Sequence, residues 1–167
     1  MLEPLFHAEL DYQSGMPPLT SEGDGALIGS GDGAVRGPKL TGTLEWTLFE
    51  QPGSTMCAMA PVAAITTGDG ARIRFEGRGY GIRRSQGDPT WRVAATLYFT
   101  TDDSRYSWLD GALALWEGEF NEVTGHARYT ALLQPAAPAA GPSLTRGQAG
   151  SHPGSRPGGR RGHRSCA

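Results

Sequence analysis

Hydrophobic and polar residues alternate most clearly on either side of Gly68-Asp69-Gly70, within VAAITTGDGARIRFEGRGYG (Val62 to Gly81). After these glycines Ala71, Ile73 and Phe75 interleave with Arg72, Arg74 and Glu76, a period of two that sends one set to each face of a sheet. Asp-Gly between two β-forming runs predicts a tight hairpin, because such turns need positive φ where Asp and Gly tolerate it best. Similar runs recur along the chain. Phe6, Ala8, Leu10 and Tyr12 alternate with His7, Glu9 and Asp11 in a first strand from Pro4 to Tyr12. A loop rich in Gly, Pro and Ser follows, and the segment ALIGSGDGAVRGPKLTG predicts two very short strands around Gly31-Asp32-Gly33. Leu40 to Phe49 alternates again, Met56 to Thr67 enters the central hairpin, and Trp91, Val93, Ala95, Leu97 and Phe99 share a face. Tyr106 to Glu117 and Gly125 to Leu133 read as the last strands.

Roughly eight or nine short strands at this turn spacing predict an all-β domain. No window carries a helical period with caps. Short consecutive turns, and the removal of exposed edges by closure, favour a single antiparallel β-barrel over a sandwich. Glycines inside the strands are the devices that curl a sheet towards closure.

Composition changes the picture at one end. From Gln134 onward there is no Asp or Glu, no aromatic residue, and Leu144 alone among the large aliphatics. Such a segment cannot bury enough apolar surface to offset its conformational entropy. The chain therefore divides into a barrel domain, 1–133, and a disordered Gly/Pro/Arg-rich tail, 134–167. Five of the 15 basic residues and none of the 17 acidic ones lie in that tail, so the body carries about −7, which argues against nucleic-acid binding. Two cysteines, Cys57 and Cys166, build neither a disulfide framework nor a zinc site. No secretory leader and no apolar run of about 20 residues is present, so the expectation is a cytoplasmic protein without membrane contact.

Five segments in order then carry a resemblance: PLF at Pro4–Phe6, GPKLTG at Gly37–Gly42, EW at Glu45–Trp46, TTGDGARI at Thr66–Ile73 and RYSWLDG at Arg105–Gly111. Together they resemble the β-barrel family known as domain of unknown function 3237, or UPF0311, over Pro4 to Leu133. Two positions depart from it. The family's Asp before the Trp is Glu45 here, with the preceding Gly-rich loop nearly absent, and the Asn closing its Tyr-x-Trp-Leu-Asn segment is Asp110. Similar barrels hold small apolar or aromatic molecules, so the resemblance implies a ligand-binding barrel and brings no reaction with it.

The residues offer few chemical groups. Glu45 and Trp46 occupy opposite faces of one strand, so a closed barrel turns one of them into its lumen; a lumenal Glu would be a proton shuttle, an outward one a solvent-facing acid beside a core Trp. As strand residues, Tyr106, Trp108 and Asp110 share a face, either as a ligand site with apolar walls and one polar anchor or as a core ladder ending in a turn Asp. Arg74, with Arg72, is an anion binder or a surface residue. His7 and His126 become neighbours if the first and last strands close the barrel, although no metal site is expected from them. The expected ligand-binding residues are Trp46, Arg74, Tyr106, Trp108 and Asp110, with no cofactor. Glu45, Tyr106 and Asp110 are the candidates for a second reading, a cofactor-independent acid–base enzyme of isomerase or cyclase type. A third is an oligomeric structural barrel that assembles through apolar strand faces.

Overall fold

The computed structural model describes residues 1–134 and contains one closed antiparallel barrel of eight strands. They are β1 (Glu3–Tyr12), β2 (Ala26–Arg36), β3 (Gly42–Gln51), β4 (Met56–Thr67), β5 (Arg72–Ile82), β6 (Thr90–Thr101), β7 (Leu113–Asn121) and β8 (His126–Gln134). Each pairs with its sequence neighbours, and β8 returns to β1, with Ala8 opposite Tyr129 and Leu10 opposite Ala127. The predicted all-β barrel is the observed fold. The tail from 135 onward lies outside the described residues.

Alternation places one side chain in two inside. Leu44, Trp46 and Leu48 of β3 face the lumen, as do Trp91, Val93, Ala95, Leu97 and Phe99 of β6. Large residues fill one end, where Phe6, Val35, Leu44, Ile65, Ile73, Phe75, Leu97 and Phe99 are fully buried. Leu40, Leu109 and Ala112, from the connections at that end, are buried with them. Edge-to-face ring contacts run up from this packed end, Phe99 to Phe75 at 5.6 Å, Phe75 to Trp116 at 5.2 Å and Trp116 to Tyr129 at 4.5 Å between centroids, each a favoured geometry for aromatic quadrupoles.

Two bulges adapt the strands. In β1 the register slips between Pro4 and Phe6, so both Leu5 and Phe6 are buried despite being consecutive. In β2 it slips between Leu27 and Gly29, leaving Ile28 as the extra residue. The glycines of β2 do not split it in two, as expected from sequence; it is one strand of 11 residues. Their missing side chains make room instead. A Cβ on Gly31 would lie 1.9 Å from the Asp11 carbonyl oxygen and 2.7 Å from the Trp46 ring, and one on Gly118 would lie 2.6 Å from the Tyr129 ring. Aromatic side chains thus lie across glycines on neighbouring strands.

The stretch from Tyr106 to Glu117 also differs from expectation. Ser104–Leu109 is a 3₁₀ helix and β7 begins only at Leu113. Asp103 starts the helix, its carboxylate accepting from the Arg105 backbone N–H at 3.0 Å, as N-cap residues do. The hairpin at Gly68-Asp69-Gly70 is present, with Gly70 at φ 85°, the Gly70 N–H donating to the Thr67 carbonyl at 3.0 Å, and the Ala71 N–H to Thr67 Oγ1 at 2.9 Å. Outside the barrel, the 13–25 connection folds back over β2 and β3. There Leu19 N–H donates to Thr47 Oγ1 at 2.9 Å, and Thr47 meets Ser30 Oγ at 3.0 Å, which satisfies two hydroxyls buried on the outer face. No helix among the described residues is long and apolar enough to cross a membrane.

Truncating the plug at the packed end tests this arrangement: Leu109→Ala is expected to cost about 2–5 kcal/mol, as for other fully buried leucines, read as a lowered urea midpoint at unchanged m-value. Gly118→Ala is expected to destabilise as well, because its new methyl meets the Arg128 carbonyl oxygen and the Tyr129 ring.

Candidate functional site

The end of the barrel opposite Leu109 is not filled. There the inward positions pair small residues with aromatic rings: Gly31 stands opposite Trp46, Ala63 opposite Trp46 on the other side, Ala95 opposite Trp116, and Ala127 opposite Phe120. Small residues leave a cavity of about 80 Å³, lined by Trp46, Trp91, Trp116, Phe120, Tyr129, Met59 and further apolar residues. It lies at the end bearing the β1–β2, β3–β4, β5–β6 and β7–β8 connections, with half-exposed Tyr12 and Ile28 at its edge.

Glu50, Cys57 and Tyr129 bring polar groups to this wall, and Tyr12 adds a phenol at its edge. Burial and, secondarily, the negative field of Glu122 push the Glu50 carboxyl above the usual carboxylate range. Burial also raises the Cys57 thiol, with Glu50 adding to it. That makes the thiol a poor nucleophile, and it sits 3.8 Å from the Gly81 carbonyl oxygen. The Tyr129 phenol is raised by burial first, then by Glu50 and Cys57. Trp116 Nε1 is sealed in the wall without a hydrogen-bond acceptor. No Lys, Arg or His lines the cavity.

Arg83 braces the mouth. Its Nε donates to the Ser54 carbonyl at 2.7 Å, its Nη1 lies 3.3 Å from the Glu122 carboxylate, and its Cζ stands 4.4 Å from the Trp91 ring centroid. Trp91 Nε1 donates to Glu122 at 2.6 Å. One guanidinium thus ties three connections to a wall residue, and its side chain is only 12% exposed.

The residues expected from the sequence are scattered. Trp46 does line the lumen, half-buried, its Nε1 donating to the Asp32 carbonyl at 3.3 Å. Glu45 therefore faces outward, 3.4 Å from Arg72. A lumenal role for Glu45 is corrected by strand parity, and the lumenal carboxyl on that strand is Glu50. Arg74 is exposed on the outside of β5, beside Ala64 and Thr100. Tyr106, Trp108 and Asp110 lie at the packed end, away from the cavity, and the 3₁₀ helix removes their common face. Tyr106 Oη donates to Asp69 at 3.2 Å, Trp108 is exposed, and Asp110 accepts from the Thr101 N–H at 3.0 Å. Arg105 completes this cluster, 3.0 Å from Asp69 and forked onto Asp103, whose carboxyl it holds down at about 2. These contacts fasten the helix to the β4–β5 hairpin. The histidines do flank the β1–β8 seam, but each has its own partner, His7 with Thr130 at 3.0 Å and His126 with Asp11 at 2.8 Å. Among the described residues no group of three or more His, Cys, Asp or Glu is placed to hold a metal ion.

Solved structures share this architecture. The chain is similar to a β-barrel-like protein from Acinetobacter baumannii, at 20% identity and TM-score 0.61, over 80% of this chain and 94% of that one. It is also similar to a protein of unknown function from Clostridium acetobutylicum (16%, TM-score 0.58, 80% and 99% covered). A conserved protein of unknown function from Rhodopseudomonas palustris matches as well (16%, 0.61, 80% and 96%). The likeness is one of fold. No family model matches the chain, and no curated protein does.

Two outcomes follow from the mouth. Arg83→Ala leaves Glu122 without its cation and is expected to cost about 1.5–3 kcal/mol, the range for hydrogen bonds to charged groups, measured by urea unfolding. Because the folded-state pKa of Glu50 is raised, the folded chain holds that proton more tightly than the unfolded one. Its contribution is full below the unfolded value of about 4.3 and is lost as pH rises through the folded value. Glu50→Gln is expected to flatten that fall and to gain stability over the wild type at neutral pH; a thermal-melt series against pH reads both.

Proposed function

We propose that the protein is a divergent barrel of the UPF0311 type that binds a small, mostly apolar molecule in the open end of its lumen. The observation that carries this reading is the cavity itself, an unfilled, aromatic-walled space at one end of an otherwise tightly packed interior. Interiors normally pack to the density of organic crystals, and an apolar void forfeits contacts on every side. Placing glycine and alanine opposite two indoles, Trp46 and Trp116, maintains such a void at a cost in stability, which a bound molecule would offset. At about 80 Å³ the space is well below the ~300–1,000 Å³ of drug-sized sites and smaller than the ~150 Å³ cavity that takes benzene. A ligand of single-ring size would therefore seat only part of its body in the chamber and the rest at the mouth.

Glu50 supports the second reading, acid–base catalysis. It is a lumenal carboxyl with a raised pKa, the property that suits a general acid or base near neutral pH. In that reading it replaces Glu45, Tyr106 and Asp110, which stand elsewhere.

Native mass spectrometry of the full chain before and after denaturation tests the binding reading. Wild-type protein is expected to carry a small molecule that denaturation releases, and Ala95→Leu, which fills the lumen beside Trp116, is expected to run at its bare mass. Overpacking costs about 1–3 kcal/mol in a filled core, and less here because the space is vacant. A molecule that stays bound in folded Ala95→Leu would place binding outside the lumen and end the proposal.

A further inference from the structure

Tyr129 is only 9% exposed, yet its hydroxyl pairs with no group among the described residues. That oxygen is not sealed in the wall: the one sealed, unpaired side-chain polar atom among the described residues is Trp116 Nε1. The hydroxyl of a residue that lines the cavity therefore opens on the cavity. Glu50 lines the same space, also without a hydrogen-bond partner among the described residues, and its charge is felt at Tyr129. Two unpaired polar groups thus meet one small apolar chamber. A ligand with matching polar atoms would pair with both groups at once.

The chemistry of the matching ligand is narrow. A carboxylate would enter a wall with no basic residue and one acidic one, and an unpaired anion is not tolerated in such a space. A pure hydrocarbon would leave both polar groups unpaired. Resting on the lumenal binding reading above, we propose that the cavity takes an uncharged phenol-type ring, held among Trp46, Trp91 and Trp116, its hydroxyl donating to the Glu50 carboxyl and accepting from the Tyr129 hydroxyl. A phenolic OH is donor and acceptor at one atom, so a single ligand group can pair with both an acceptor and a donor of the cavity lining.

Three of the four tryptophans line the cavity and Trp108 does not, so the four indole N–H resonances of the ¹⁵N-labelled full chain report on site and bystander together. Titrations with phenol, toluene, benzoate and benzyltrimethylammonium are to be followed for wild type, Tyr129→Phe and Glu50→Gln. Phenol is expected to move the three lumenal indoles and leave Trp108 in place. Toluene is expected to bind about tenfold more weakly, the equivalent of one hydrogen bond to a charged or buried group, and benzoate not to bind. Tyr129→Phe, which removes one atom and keeps the ring, and Glu50→Gln are each expected to erase most of the phenol advantage without weakening toluene. Equal affinity for phenol and toluene overturns the phenol assignment while the lumenal site stands. So does preference for benzoate, or for benzyltrimethylammonium, which would mark an aromatic cage for cations, and so does a phenol advantage that survives both variants. If no compound moves the lumenal indoles, the binding reading itself fails.

Discussion

A barrel has one interior, and every strand must contribute alternate residues to it. Closure by β8 on β1 fixes the cross-section, so the size of each inward side chain decides whether the space at its level is packed or vacant. At one end phenylalanines, leucines and isoleucines meet and the Ser104–Leu109 helix supplies the plug. At the other, glycine and alanine stand opposite tryptophans, and the same rule leaves a chamber. The cavity and the core are two outcomes of one constraint.

That constraint also explains why the polar network is divided between the ends. At the packed end Asp69, Asp103, Arg105 and Tyr106 hold a helix against a hairpin in exposed positions, where ion pairs contribute little individually. At the open end Arg83 is largely shielded, and its side chain adds to the backbone hydrogen bonds Arg83 N–H to Thr55 carbonyl and Glu122 N–H to Pro89 carbonyl that already join the loops there. One cation, one carboxylate and one indole reinforce those backbone links at the mouth, while the chamber below is lined by no basic group. The chamber is thus preformed, with Glu50 as the one acidic residue of its wall. Glu50 stands at the boundary between wall and mouth, with its carboxyl raised chiefly by burial.

The fold was legible from the residues because alternation with period two survives whatever partner a strand acquires. Trp91 to Phe99, Leu44 to Leu48 and the Gly68-Asp69-Gly70 hairpin all follow from it, as does the closed barrel. Of the residues expected from the sequence, only Trp46 lines the cavity. Tyr106, Trp108 and Asp110 keep the parity of a strand, but Asp103 caps a 3₁₀ turn there, and a capping hydrogen bond outweighs a short alternating pattern. Glu45 carried the attention that belonged to Glu50, because adjacency to a tryptophan in sequence means the opposite face in a strand. The signal that finds Glu50 is its even spacing from Trp46, and the same parity joins Trp116 to Phe120.

By itself, then, the sequence determined the strands, their two faces and the acidic character of the body, since these depend on local stereochemistry and on composition. Which face points inward, which glycines lie beneath aromatic rings and which end stays unfilled were decided by closure, through contacts between residues as distant along the chain as Ala8 and Tyr129. Those are facts about volume, and volume exists only once the eight strands enclose it.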